Sequence, residues 1–131
     1  MLSNVTYVTL FVADQERALE FYVDRLGFEK RVDNRNVPGA GRFLTVGLRG
    51  QDLQLVLWPG SPGQAKQSAG PVPGICTIES TDCIRDFDRL KALGVAFETP
   101  EVIKQPWGKM AIAQDPDGNR IALREQARPT G

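Results

Sequence analysis

Few side chains in this sequence are suited to acid–base or metal chemistry. Its 131 residues include no histidine, so no imidazole is available as a base or as a metal ligand. A general acid or base could then only be a carboxylate, a tyrosine, a cysteine or a lysine. The sequence shows no nucleophile elbow, phosphate-binding loop or catalytic triad, and it leaves any catalytic residue unknown.

The two cysteines, Cys76 and Cys83, are the remaining candidates for metal or redox chemistry. Two thiolates without a histidine cannot complete a four-ligand zinc site. A thiol is a good nucleophile only when its pKa is lowered or a neighbouring base removes its proton. We therefore predict that both cysteines are small buried hydrophobic residues, and we expect neither a metal nor a cofactor.

The charge balance and the apolar runs exclude several classes of partner. Sixteen basic residues offset sixteen acidic ones, and no basic stripe with interleaved aromatic residues indicates a nucleic acid. The apolar runs are shorter than the roughly 18 residues of a membrane span, so no membrane partner is expected. Residues 1–4 lack the charged and apolar regions of a secretory signal, which favours a cytoplasmic location.

The positions of apolar residues predict one helix and four strands in the first half of the chain. Asp14 stands at the N-cap position of the helix, and Gly27 stands just after its end. Alternation of side-chain types predicts the strands. The predicted elements are a strand at 5–12, the helix at 15–25, strands at 28–32, 42–48 and 53–58, and a loop or irregular hairpin at 33–41.

The second half repeats this order after a segment rich in Pro and Gly at 59–74. Asp82 is the second predicted N-cap, and Ile84, Phe87 and Leu90 form the apolar stripe of a helix that ends near Gly94. The run Asp115-Pro-Asp-Gly-Asn119 predicts a hairpin turn. The other predicted elements are strands at 75–79, 95–97, 110–114 and 120–124 and a polar tail at 125–131.

Sequence spacing supports an internal duplication. Asp14 and Asp82 are 68 residues apart, and the strand positions 53–57 and 121–125 match at the same offset. Each copy carries one apolar sheet face that a helix must cover. We therefore predict an α+β fold made of two tandem βαβββ modules within a single domain at 1–131, with module one at 4–58, a linker at 59–74, module two at 75–124 and a tail at 125–131.

The segment Tyr7-Val-Thr-Leu-Phe-Val-Ala-Asp14, followed by Ala18-x-x-Phe21-Tyr22-x-x-x-Leu26-Gly27-Phe28, resembles the first module of the vicinal oxygen chelate superfamily. Leu90-Lys-Ala-Leu-Gly94, Gln105-Pro-Trp-Gly108 and the hairpin turn at 115–119 resemble its second module. That superfamily includes glyoxalase I, extradiol dioxygenases and the fosfomycin and bleomycin resistance proteins. The resemblance implies an open, cup-like mixed sheet with helices outside, a small-molecule ligand on the concave side, and a homodimer.

In metal-dependent members of this superfamily, four ligands come from fixed strand positions, usually as histidine and glutamate. The matching positions in this chain are Tyr7, Gln54, Ile75 and Ala122. A tyrosine and a neutral amide are poor ligands for a divalent transition metal, and isoleucine and alanine offer no donor atom. The resemblance therefore implies a member without a metal site.

Strand alternation predicts which side chains would face the ligand. Residues at every second position of each strand share the face of the four matched positions. They make an apolar and aromatic surface with a few polar groups, which is typical of a small-molecule pocket. The predicted ligand-binding residues are Tyr7, Thr9, Phe11, Phe43, Gln54, Val56, Trp58, Ile75, Thr77, Trp107 and Ala122.

Most of these residues also fit a structural role. Phe11 and Phe43 are equally suited to filling space or to a dimer contact, and Trp58 to anchoring an interface. A hydrogen bond between the Tyr7 hydroxyl and Gln54 would make these two a structural pair. Trp107 in its loop is suited to a packing role at the rim, and Glu79 and Arg124 to a surface ion pair.

Three functions remain open at the level of sequence. The favoured one is a metal-independent binding protein that sequesters an apolar or aromatic compound, as the resistance proteins of the superfamily do. The second is an enzyme of the same superfamily, a lyase, isomerase or dioxygenase. The third is a dimerisation or interaction module whose cup is filled by its own side chains.

Overall fold

The computed structural model describes residues 1–37, 41–60 and 76–127. These fall into two compact units, Met1–Gly63 and Gln64–Gly131, and each unit holds one sheet and its own helical segment. The predicted α+β class with two βαβββ modules is confirmed. Apart from residues 59 and 60, the predicted linker at 59–74 lies outside the described residues, as does the end of the predicted tail.

The first unit is a four-stranded sheet with the strand order β1-β4-β3-β2. Strands β1 and β4 run parallel, and the other neighbours run antiparallel. A parallel pair needs a long crossover connection, and here the helix and the two other strands provide it. The elements are β1 (Tyr7–Val12), α1 (Gln15–Glu20), a π-helical turn (Phe21–Arg25), β2 (Glu29–Val37), β3 (Gly41–Gly47) and β4 (Gln54–Pro59).

Helix α1 begins where the sequence predicts. The Asp14 side chain accepts hydrogen bonds from the backbone N–H groups of Glu16 and Arg17 and so caps the helix. The helical segment then widens into the π-helical turn and stops at Gly27, whose φ of 83° is the left-handed conformation that glycine adopts most easily. The predicted helix at 15–25 is therefore confirmed in extent, with a change of helical pitch at Phe21.

Apolar side chains fill the space between α1 and its sheet. Leu10 and Val12 of β1 and Leu57 of β4 are fully buried, as is Tyr22 of the π-helical turn. The Tyr22 ring meets Phe21 and Phe28 edge-to-face, with centroids 5.2 and 5.7 Å apart. The opposite side of the sheet therefore carries the residues that alternate with this buried row.

The second unit has the strand order β5-β9-β8-β6, and β7 also pairs with β8. Its first and last strands again run parallel. The Asp115 side chain accepts from the backbone N–H groups of Asp117 and Asn119, which fixes the predicted hairpin turn. The elements are β5 (Cys76–Glu79), α2 (Cys83–Ala92), β6 (Ala96–Phe97), β7 (Ile103–Gln105), β8 (Gly108–Gln114) and β9 (Arg120–Gln126).

Helix α2 is capped by Asp82, which accepts from the N–H of Arg85. Its buried residues are Cys83, Phe87 and Leu90, a spacing of four and three that keeps them on one side. Ile84, predicted in this stripe, is instead 37% exposed. One residue further along a helix means a rotation of about 100°, which turns Ile84 away from the sheet.

Three other predicted boundaries are wrong. Strand β2 continues beyond the predicted end at 32 to Val37, and its shifted pairing with β3 confirms the irregular hairpin, and not the loop, for the described residues of 33–41. Strand β7 has no counterpart among the predicted elements, and β9 runs two residues beyond the predicted end at 124. The part of the chain that the structure describes contains no helix long and apolar enough to cross a membrane.

Candidate ligand-binding face

The face of the first sheet opposite α1, which we call the aromatic face, is organised in three rows across β3, β4 and β1. The strand register places Gly47, Gln54 and Tyr7 side by side in the first row. Thr45, Val56 and Thr9 follow in the second row. Trp58 lies beside Phe11 in the third row, and two positions before Thr45, Phe43 of β3 contacts the Trp58 ring. Alternation within the strands thus gathers every predicted ligand-binding residue of module one on one face.

Aromatic rings fill the third row and one end of the first row. The rings of Phe43 and Trp58 lie 6.5 Å apart, and the Tyr7 ring meets Phe43 edge-to-face at 5.6 Å. Val56 lies between Tyr7 and Phe43 along the strand order and is only 4% exposed, whereas Tyr7 remains 48% exposed. The Phe11 ring lies against Gly60, where a Cβ atom would come within 2.5 Å of it. The face therefore offers ring surfaces that a planar molecule could contact.

The amide of Gln54 is held by a chain of hydrogen bonds from β2 and β3. A register shift between Lys30 and Asp33 leaves the Val32 N–H free to donate to the Thr45 hydroxyl at 3.0 Å. That hydroxyl donates in turn to Oε1 of Gln54 at 2.6 Å. Gln54 is thus bonded to Thr45 and not to the Tyr7 hydroxyl, so the sequence-based alternative of a Tyr7–Gln54 structural pair is wrong.

No sequence pattern indicated Arg31, whose guanidinium lies over Gly47 at the end of the aromatic face. A Cβ atom on Gly47 would lie 3.0 Å from Cζ of Arg31, so a larger residue there would displace the guanidinium. The Arg31 side chain donates to the backbone carbonyls of Leu48 (2.6 Å) and Gln51 (3.1 Å). The spacing of Arg31 and Gly47 in the sequence does not reveal this contact, because the register shift in β2 creates it.

In the second unit, the structure describes three of the four predicted ligand-binding residues. Thr77 of β5 pairs with Ala122 of β9, and Ala122 pairs with Ile112 of β8. Thr77 is exposed and Ala122 is fully buried. Trp107 lies in the turn between β7 and β8 and is 43% exposed. Ile75 lies outside the described residues.

The charged and nucleophilic groups of the second unit show no sign of activation. Arg124 lies 3.7 Å from the Glu79 carboxylate, and both side chains are well exposed, as expected for a surface ion pair. Burial raises the pKa of the Cys76 and Cys83 thiols to about 11. A thiol with so high a pKa is a weak nucleophile at neutral pH. Cys83 is fully buried and Cys76 is partly buried.

The residues at the superfamily's metal positions do not fit a metal ion. Oε1 of Gln54 already accepts the Thr45 hydroxyl, Ala122 is a buried hydrocarbon, and Ile75 has only an aliphatic side chain. Hard and borderline divalent ions need carboxylate, imidazole or thiolate donors. Within residues 1–37, 41–60 and 76–127, no three such side chains come together in a group that could hold an ion.

Two surface grooves are lined by residues that do not belong to the aromatic face. One, of about 670 Å³, runs along the outer side of α1 between Leu19, Val23 and Lys30. The other, of about 500 Å³, lies beside Asp82, Lys109 and Glu125. Both are open and lined by charges of both signs, which is typical of solvated surface and not of the mostly apolar clefts that hold small molecules.

Comparison with known proteins identifies the family of this fold. The family described as the Glyoxalase/Bleomycin resistance protein/Dioxygenase superfamily matches residues 4–123. The chain belongs to this superfamily, as its sequence motifs indicate.

Two solved structures and one sequence relative are similar to this chain over more than nine-tenths of its length. The structure of TnmS3, an antibiotic binding protein from Streptomyces sp. CB03234, is similar with a TM-score of 0.77 and 35% identity, over 96% of this chain and 98% of that one. A glyoxalase/bleomycin resistance protein from the same organism is 37% identical, with a TM-score of 0.69 over 93% and 99% of the two chains. The uncharacterized protein YurT of Bacillus subtilis (strain 168) is 33% identical over 92% of this chain and 97% of its own length.

Proposed function

We propose that this chain is a small-molecule-binding protein that works without a metal ion and sequesters an apolar or aromatic compound on the aromatic face. The observation that carries the proposal is a set of three rings on the side of the sheet opposite α1, in which Phe43 contacts both Tyr7 and Trp58. Large side chains on that side do not contribute to the packing beneath the helix. Their ring surfaces are therefore suited to a ligand.

The family relationships support a binding role. TnmS3 is described as an antibiotic binding protein and is 35% identical to this chain. The metal positions of the superfamily lack suitable donor groups here, and the thiols have raised pKa values, so both features favour binding over catalysis. A dissociation constant of about 1 μM corresponds to about −8.2 kcal/mol, which burial and stacking supply without a covalent step.

Several finer points of the proposal rest on sequence alone. We expect Thr77, Trp107, Ala122 and Ile75 of the second unit also to contribute to ligand binding. We also expect a homodimer and a cytoplasmic location.

A binding titration on a single-tryptophan variant tests the proposal. The chain has two tryptophans, and Trp107→Phe leaves Trp58 as the sole indole. In this background a panel of planar aromatic antibiotics and simple polycyclic compounds is titrated by fluorescence and by the indole NMR signal of Trp58. We expect at least one compound to bind at micromolar concentration and to shift that signal, with no change when EDTA is added. A panel without any binder, or binding that EDTA abolishes, would contradict the proposal.

Matched variants locate the bound compound. Trp58→Ala and Phe43→Ala each remove a ring from the aromatic face, and we expect either to weaken binding about 10- to 100-fold, as loss of a central aromatic contact commonly does. Ile84→Ala removes an exposed apolar side chain from α2 and should leave the affinity unchanged. Equal affinities for all three variants would place the ligand elsewhere.

A further inference from the structure

We infer that the aromatic face selects an aromatic compound that carries a hydrogen-bond-accepting group, and most strongly an anionic one such as a carboxylate, with that group beside Gln54 and Arg31. This inference rests on the proposed function and adds the chemical class of the ligand. It depends on the direction in which the side chains of Gln54 and Arg31 present their N–H groups.

The hydrogen bonds of Thr45 decide which end of the Gln54 amide faces the ligand. Thr45 is fully buried, and its hydroxyl oxygen already accepts from the Val32 N–H. Its proton needs an acceptor, and Oε1 of Gln54 provides one at 2.6 Å. If the amide were turned over, the buried hydroxyl proton would have no acceptor among the described residues. Nε2 of Gln54 therefore points away from Thr45 with its N–H groups bonded to no described residue.

Arg31 is the neighbour of Gln54 across the strands. Gly47 pairs with Gln54 in the sheet, and such cross-strand side chains are about 5 Å apart. Because the Arg31 guanidinium lies flat over Gly47, it takes the place of a side chain in the first row. Its bonds to the Leu48 and Gln51 carbonyls use one N–H on each terminal nitrogen. One further N–H on each of these nitrogens has no partner among the described residues.

The end of the aromatic face at Gln54 and Arg31 carries positive charge. Glu29 lies 3.5 Å from Nε of Arg31, but Arg49 also contacts Glu29, at 3.2 Å. Two guanidinium groups against one carboxylate leave a net positive charge. Arg31 is only 23% exposed, so water screens it less than it would screen a free surface arginine. The N–H groups of Gln54 and Arg31, together with this net positive charge, favour an accepting, anionic group.

The geometry also sets the size of the ligand. The first and third rows are four residues apart along β4, which is about 13 Å at about 3.3 Å per residue. An accepting group beside Gln54 therefore leaves room for a fused two- or three-ring system over Val56 and towards Trp58. A short head-group series on a naphthalene ring matches these dimensions.

The experiment compares 2-naphthoate, 2-naphthamide and 2-naphthylmethylammonium by calorimetry on the full chain. We expect 2-naphthoate to bind at least 10-fold more tightly than the ammonium compound, with the neutral amide between them. In Gln54→Glu the Thr45 hydroxyl still has an acceptor, but the outward N–H groups become a carboxylate oxygen. We expect that variant to reverse the order of the series. Gln105→Glu makes the same charge change at an exposed position of β7 and should leave the order unchanged.

A second variant, Arg31→Met, keeps the test decisive if Gln54→Glu does not fold. It removes the charge with a side chain of similar length, and we expect the preference for 2-naphthoate to fall at least 5-fold. Equal binding of the three compounds, or tighter binding of the ammonium compound, overturns this inference and leaves the proposed function standing. Failure of this series together with the whole planar panel contradicts the proposed function itself.

Discussion

The two units of the chain are alike on their helix sides and different on the opposite faces. Asp14 and Asp82 cap the two helices, and in both units the first and last strands run parallel. On the opposite face, however, Gln54 corresponds at the 68-residue offset to Ala122. Its cross-strand neighbour is Gly47 in the first unit, whereas Ala122 pairs with Ile112 in the second.

This difference changes the chemistry of the two faces. The first unit combines rings with fixed N–H donors. The corresponding row of the second unit has Thr77, Ala122 and Ile112 across β5, β9 and β8, with no charged side chain in it. A glycine at position 47 makes room for Arg31, while the isoleucine of the second unit fills the equivalent place. The helix caps and the strand order are alike in the two copies, and the side chains on the opposite faces differ.

On the helix side, each unit uses a different hydrogen bond to connect the first residue of the helix to the last strand. In the first unit, Nε2 of Gln15 donates to the Leu57 carbonyl at 3.0 Å. In the second unit, the Cys83 N–H donates to Oε1 of Glu125 at 2.8 Å. Gln15 corresponds to Cys83 and Leu57 to Glu125 at the same offset. In both units the helix residue donates and the strand residue accepts. The side chain in the bond belongs to the helix in the first unit and to the strand in the second.

The largest effect that separates the units is expected at two glycines. Gly108 has φ of 143°, and a Cβ there would lie 2.0 Å from the Glu125 carbonyl oxygen, which is backbone and cannot move aside. We expect Gly108→Ala to destabilise the fold by about 3 kcal/mol. Gly47→Ala meets only the flexible Arg31 side chain, and its cost should stay below about 1 kcal/mol. Urea unfolding of both variants measures the difference, and similar midpoints would contradict it.

The sequence predicted the parts of the fold that depend on local signals. The caps at Asp14 and Asp82, the glycine at 27 and the turn at 115–119 each act within a few residues, so their patterns are sufficient. The resemblance to the superfamily placed Tyr7 and Gln54 on the same face, and the observed register, in which they are neighbours, agrees.

The missed features depend on contacts between distant residues. The bond from Val32 to Thr45 requires the register shift in β2, and the mostly polar sequence of β2 has no apolar alternation that a one-residue shift could interrupt. Without that shift neither the orientation of the Gln54 amide nor the position of Arg31 is predictable. The short strand β7 pairs with β8 over only three residues, too few for a periodic pattern.

A second comparison of the units concerns the bonds that tie each helix to its last strand. Glu125→Ala leaves the partly buried Cys83 N–H without its charged acceptor, and we expect a loss of about 2 kcal/mol. Glu125→Gln keeps an acceptor oxygen and should recover most of that loss. Gln15→Ala removes two donated bonds to backbone carbonyls from a neutral side chain, and we expect about 1 kcal/mol. Chemical denaturation measures all three, and a Gln15 variant less stable than the Glu125→Ala variant would reverse the proposed ranking.

The smallest expected effect comes from a group of ion pairs in the first unit that connects α1 to β2 and β3. Arg42 donates two hydrogen bonds of 2.9 Å to Asp33 and contacts Glu16 of α1 at 2.7 Å. The hydrogen bonds from Arg42 lower the pKa of Asp33 from 3.8 to about 2. Because the folded pKa lies below the unfolded one, the ionised carboxylate stabilises the fold above about pH 4.

That contribution disappears as the pH falls through the folded pKa of about 2, where both states are protonated. We expect wild type to exceed Asp33→Asn by about 1 kcal/mol at pH 6, since the pair is partly exposed and screened, and the two to converge near pH 2. Asp88→Asn is the control, because Asp88 is exposed on α2 and has no such pair among the described residues. Unfolding free energies from pH 2 to 6 measure the convergence. A difference between wild type and Asp33→Asn that stays constant over this range would mean that the carboxylate charge does not provide the stabilisation. The shape of the Asp33 side chain would then account for it, and the tie between α1 and the β2–β3 hairpin would be a packing contact.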